Sequence, residues 1–148
     1  MKKFIFSLEK VLNFKGQSID ALKNQLAILQ SELHLIEQEI AKLNLIFVKK
    51  NVLLREKMQE GISSGEISTF KIYLNDINLS IRRKQFELKL KKDEVFAKQQ
   101  EIISANIEIA SLEKLKDTQL QDYKKAFAKS QEIELNEFIT NAMQRQKV

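Results

Sequence analysis

The sequence predicts an all-α fold: a long antiparallel two-helix coiled-coil hairpin with a C-terminal helical overhang. Three observations predict it. Turn-forming residues are scarce, with 3 Gly and no Pro in 148 residues, so the elements must be few and long. Apolar residues recur in two rows spaced three and four residues apart, the pattern of a helix that seats against another helix. Two of the three glycines fall together near the middle, in Glu60-Gly61-Ile62-Ser63-Ser64-Gly65-Glu66, where one bend folds the chain back on itself.

The first helix is expected over about residues 7–60. Its rows are Leu12, Ile19, Leu26, Leu33, Ile40, Phe47 and Leu54, with Leu8, Lys15, Leu22, Leu29, Ile36, Leu43 and Lys50 four residues earlier. The loop is expected over about 61–65. Gly61 can close the first helix in the left-handed conformation that glycine tolerates, and Ser63 with Glu66 has capping-box spacing to open the next. A link this short favours antiparallel neighbours.

The second helix is expected over about 66–145, as part of one coiled-coil domain spanning 1–148. One of its rows, Leu74, Ile81, Leu88, Val95, Ile102 and Ile109, is unbroken. The other runs Phe70, Ile77, Lys84, Lys91, Lys98, Ala105 and Leu112. The three lysines should loosen the seam, although their long stems can cover apolar surface while the ammonium reaches water. Seam meets seam when facing positions add to about 124, and again one heptad along, so two registers stay open. From about residue 120 the second helix overhangs without a partner arm. Gly16 lowers helix propensity by about 1 kcal/mol relative to Ala and marks a possible flexible joint behind the N-terminal head.

Composition excludes several classes of function. There is no Cys and one His, so thiolate chemistry, disulfides and a His-paired metal site within one chain are out. His34 falls just off the seam, on the solvated side. No Gly-rich phosphate loop or Ser-His-Asp set is present, and a two-helix rod offers no pocket. The expectation is no enzyme, no cofactor and no metal. The opening Met1-Lys2-Lys3-Phe4-Ile5-Phe6 imitates a signal peptide, but Ser7, Glu9 and Lys10 cut it short. The longest later apolar run, Leu45-Ile46-Phe47-Val48, falls far below the roughly 20 residues of a membrane span. A soluble cytoplasmic protein is expected.

The net charge is +5, with the excess concentrated between Arg82 and Lys98. Such a stretch is usually a solvated helix face; the different-class alternative is a basic coiled coil that holds nucleic acid or acidic membrane through it. Apolar stripes outside the seam mark contact surfaces. On the first arm these are Leu45, Val48 and Val52, and on the second Ile72, Leu79 and Phe86. They suit a partner, or self-association into a four-helix bundle. The dense N-terminal head (Phe4, Phe6, Leu8, Val11, Leu12) either meets a partner or caps the coiled coil. The overhang carries Leu120, Tyr123 and Phe127, followed by Leu135, Phe138, Ile139, Ala142 and Met143.

The head Phe4-x-Phe6-x-Leu8-x-x-Val11-Leu12, the midpoint Gly61…Glu66…Tyr73-Leu74-x-x-Ile77-x-x-x-Ile81 and the tail Leu120-x-x-Tyr123…Glu132-x-x-Leu135-Asn136-Glu137 together resemble the FliJ family of flagellar type III export proteins. Asn136 and Gly16 depart from the usual pattern, where acidic residues are common. The resemblance implies a non-enzymatic antiparallel coiled coil, similar to the central stalk of rotary ATPases. Its paired termini would enter the pore of a hexameric flagellar export ATPase. The rod would reach toward a membrane export-gate protein and handle export chaperones, with peripheral association at the cytoplasmic face of the membrane export apparatus. Carried onto this chain, Phe4, Phe6, Leu8, Val11, Leu12, Leu120, Tyr123, Phe127 and Leu135 would face the ATPase, and Leu45, Val48, Val52, Ile72, Tyr73 and Leu79 the gate. No nucleic-acid partner is expected on this reading. The equivalent stalk of a virulence secretion system is a same-class alternative.

Overall fold

The computed structural model describes residues 2–147 and contains two helices, α1 (Glu9–Glu60) and α2 (Ser64–Gln146), with no strand among the described residues. They form an antiparallel hairpin. The chain divides into two units: a loop unit, Ala21–Ile102, and a termini unit, Met1–Asp20 with Ile103–Val148.

In the loop unit the bend occupies residues 61–63. Gly61 has φ +95°, a conformation that a Cβ disfavours, and its N–H donates to the Lys57 carbonyl at 3.0 Å, closing α1. The Ser63 hydroxyl accepts the Glu66 N–H at 3.2 Å, and the Ser63 carbonyl accepts the Ile67 N–H at 3.1 Å. Ser63 is therefore the N-cap, and α2 begins at Ser64, two residues before the expected start. Gly65 lies inside the first turn of α2 rather than in the loop.

Both predicted rows are real. Every seam position from Leu8 to Leu54 and from Phe70 to Leu112 is buried or half-buried, lysines included. The most enclosed residues of the loop unit are Leu54, Ile77, Ile81 and Val95; those of the termini unit are Phe6 and Ile19. Half-burial is what two helices sharing one seam can achieve, since each seam side chain has neighbours on one side only.

The seam lysines find partners on the opposite helix. In the loop unit Lys84 pairs with Glu39 at 2.6 Å, Lys91 pairs with Glu32 at 2.7 Å, and Lys98 donates to the Gln25 side-chain carbonyl at 2.9 Å. Lys50 holds its ammonium 5.3 Å from the Tyr73 ring centroid, a cation–π contact. In the termini unit Lys15 pairs with Glu108. All five seam lysines thus meet the residue whose number adds with theirs to 123, which settles the register close to the first of the two possibilities. One heptad along, Lys84 would face Ile46 and Lys15 would face Leu115, leaving two ammonium groups against apolar side chains. That register loses because it strands charge without a partner.

In the termini unit, α1 runs through Gly16 without a break, so the expected flexible joint is absent. The seam residues Leu12, Lys15 and Ile19 on either side are all at least half-buried and hold the helix where propensity alone would weaken it. Residues 2–6 are non-helical and Ser7–Leu8 form a turn into α1, so the helix starts two residues later than expected.

Candidate partner-binding surfaces

The termini unit brings the two chain ends together. The Tyr123 hydroxyl donates to the Lys2 carbonyl at 2.6 Å. The Phe4 and Tyr123 rings lie 5.6 Å apart, tilted by 46°, and Tyr123 stacks on Phe127 at 6.2 Å. Glu9 and Lys116 form an ion pair at 2.8 Å. In the non-helical head neighbouring side chains differ sharply: Phe6 is 4% exposed, whereas Ile5 is 82% exposed. The head therefore caps the end of the coiled coil, one of the two roles expected for it.

That cap divides the ATPase-facing candidates into inward and outward groups. Phe6 is buried, while Phe4, Leu8, Leu12, Leu120 and Tyr123 are half-buried within the head and seam. Val11, Phe127 and Leu135 remain exposed. Tyr123, expected to lie in the overhang, thus contacts the head. Farther along α2, Phe138, Ile139 and Met143 are also exposed. Ile5 and Phe14, both exposed, were not singled out from the sequence. Phe14 falls outside the seam rows, and Ile5 lies in the non-helical head, where helical spacing carries no signal.

In the loop unit, Leu45, Val48, Val52, Ile72, Tyr73, Leu79 and Phe86 are all exposed, as their places outside the seam require. Tyr73 is partly engaged beneath the Lys50 ammonium. Sequence reasoning missed Ile28, Leu35 and Leu90, which are also exposed. Leu35 and Leu90 flank a shallow groove over the Glu32–Lys91 and Glu39–Lys84 pairs, and the seven-residue step from Ile28 to Leu35 was the available signal. His34 is exposed, and its Nε2 accepts the Gln38 side-chain amide at 3.1 Å.

The model of a family described as "Flagellar FliJ protein" matches residues 4–147, nearly the whole chain. The chain belongs to the FliJ family. It is thus a member of a family of type III export-apparatus components, structural rather than catalytic in kind. Among solved structures it is similar to CT670 from Chlamydia trachomatis, described as a candidate YscO homolog, at 23% identity over 98% of both chains with a TM-score of 0.61. That likeness shows a shared fold. A comparison with curated proteins finds no match. Among the described residues of this FliJ-family chain, no helix is long and apolar enough to cross a membrane.

The electrostatics of the loop unit follow from the lysine ladder. Each ladder lysine also reaches a carboxylate one turn along α2, at 3.3 Å for Lys84–Glu87, 3.2 Å for Lys91–Glu94 and 3.3 Å for Lys98–Glu101. Hydrogen bonds to Glu39 and then Glu87 hold Lys84 protonated above its ordinary range, and Glu32 and then Glu94 do the same for Lys91. A lysine raised in the folded state stabilises the fold fully below its unfolded pKa and loses that contribution as pH climbs through the raised value. The thermal midpoint is therefore expected to fall on the alkaline side of about pH 10.4, the ordinary lysine value. In Lys84→Met/Lys91→Met, whose stems still cover the seam, that fall should shrink. An identical alkaline fall in both proteins would remove the ladder from the explanation.

Proposed function

We propose that this chain is a non-enzymatic stalk of the flagellar type III export apparatus, seated in the pore of a hexameric export ATPase by its termini unit. In the same reading the loop unit meets a membrane export-gate protein through Leu45, Val48, Val52, Ile72, Tyr73 and Leu79, and export chaperones are further partners.

The observation that supports this reading best is the junction of the two chain ends. The Phe4–Tyr123–Phe127 cluster and the Tyr123–Lys2 hydrogen bond bind the head to α2 as one body. Beyond that body α2 continues with exposed Leu135, Phe138 and Ile139, an apolar face with no partner among the described residues. A ring pore that encloses both ends would cover it. Family membership supplies the export apparatus, while the ring and the gate are the steps beyond. Of the basic stretch from Arg82 to Lys98, Lys84, Lys91 and Lys98 are engaged within the hairpin, while Arg82, Arg83, Lys89 and Lys92 are exposed.

In a test with a purified hexamer, Leu120→Ala/Tyr123→Ala/Phe127→Ala is expected to weaken association about a hundredfold, from truncation costs of roughly 1 kcal/mol each. Far-UV circular dichroism should show helicity nearly intact. Because Leu120 and Tyr123 also hold the head, Leu135→Asp serves as a second variant: its side chain is exposed, and it should weaken association without loosening the termini. Unchanged association in both variants would overturn the reading.

A further inference from the structure

The outward face of α2 in the loop unit carries apolar and cationic residues of which the stalk role uses only Ile72 and Leu79. Ile72, Leu79 and Phe86 recur every seven residues, and Leu90 follows four residues after Phe86; all are exposed, Ile72 and Phe86 at 63%. The row covers about 21 Å at 1.5 Å per residue. Around it lie Lys71, Arg82, Arg83, Lys89 and Lys92, all exposed and without an ion pair among the described residues. Over residues 71–92 the acids are Asp76 and Glu87, and Glu87 is committed to Lys84. The cancellation of Lys84 and Lys91 within the seam thus leaves five outward cations spread over about 31 Å alongside an apolar row that ends at Asp93.

We propose that this face binds the surface of a bilayer containing anionic phospholipids, with Ile72, Leu79 and Phe86 entering the interface and the five cations meeting lipid phosphates. The pattern of the row selects this occupant. A docked helix needs two apolar rows three and four residues apart to form holes for its knobs. Here the flanking positions are Asn75, Asp76, Arg82, Arg83 and Lys89, so no second row exists until Leu90. A bilayer interface makes no such demand: each apolar side chain inserts independently while Lys and Arg reach the headgroups. A second copy of this chain would bring two cationic faces together and is disfavoured by repulsion. Nucleic acid would satisfy the cations but leave Phe86 and Ile72 exposed.

The face shares Ile72 and Leu79 with the gate-facing surface proposed above, and rests on that reading only in taking the loop unit as the membrane-proximal one. Vesicle binding by the isolated chain requires neither gate nor ring, so the two proposals fail separately. The test is flotation of the full chain with vesicles of phosphatidylcholine, with and without about one-third phosphatidylglycerol, an anionic content that creates the attracting surface potential. Binding is expected only with phosphatidylglycerol, and to weaken as salt shortens the screening length. Arg82→Gln/Arg83→Gln/Lys89→Gln should lower partitioning about a hundredfold, since each surface cation is worth about fivefold. Ile72→Ser/Phe86→Ser should lower it too, with circular dichroism unchanged in both variants. No vesicle binding, equal binding to neutral vesicles, or equal binding by the charge-removed variant would overturn the proposal. So would binding to duplex DNA or to a gate protein through this face while vesicles are ignored.

Discussion

Ile81→Ala is expected to destabilise the protein by about 2–3 kcal/mol, the lower part of the range for truncating a buried isoleucine. Ile81 is 7% exposed and sits in the unbroken row of α2. Its loss leaves a gap in the seam, which the rigid helix backbones cannot close. The estimate stays at the lower end because a two-helix seam is open at its flanks, so neighbours relax and water enters more readily than in a closed core. Leu79→Ala, two residues away on the outward face, is the matched control. Exposed substitutions of this kind usually stay within about 0.5 kcal/mol. Urea denaturation of the full chain, followed by helicity, measures both. Equal costs at the two positions would mean that the seam is not where the fold is held.

The contrast between Ile81 and Leu79 was legible in the sequence because a seven-residue repeat maps onto one helix face whatever the partner is. The bend was legible for a related reason: Gly61 and the Ser63–Glu66 spacing act within one turn, and local signals survive without tertiary knowledge. What depends on register was less legible. Lys84, Lys91 and Lys98 looked like weak points because their partners Glu39, Glu32 and Gln25 lie on the other helix. The pairing rule emerges only once the bend is placed to within a residue. The same limit hid the basic face, since charge counted along Arg82 to Lys98 mixes lysines engaged in the seam with Arg82, Arg83, Lys89 and Lys92, which are not. The capping of the termini was legible only in part. Phe4 and Phe6 announced an apolar head, but the Tyr123 hydroxyl bonds to a backbone carbonyl, and a carbonyl carries no residue signature. Gly16 misled because propensity was weighed without the seam contacts that override it.

Substitutions at two glycines are expected to change stability in opposite directions, and the pair tests the bend directly. Gly61 has φ +95°, where an L-residue clashes with its own carbonyl at a cost of about 1–2 kcal/mol, more for a β-branched side chain. Gly61→Val is therefore expected to destabilise by about 2 kcal/mol, although a Cβ there would meet nothing within 4 Å; the penalty is torsional and cannot be relieved by moving a neighbour. At Gly16 the space is equally open, but the backbone is helical, so Gly16→Ala should stabilise by about 0.5–1 kcal/mol through helix propensity and a less disordered unfolded chain. If α1 ran on through residues 60–66 as an unbent shaft, Gly61 would also be helical, and replacing it with Ala would raise the midpoint. A melt in which Gly61→Val and Gly61→Ala both lower the midpoint while Gly16→Ala raises it requires a left-handed residue at the end of α1. The lysine ladder depends on that residue, because only a bend at Gly61 brings Lys84, Lys91 and Lys98 opposite Glu39, Glu32 and Gln25.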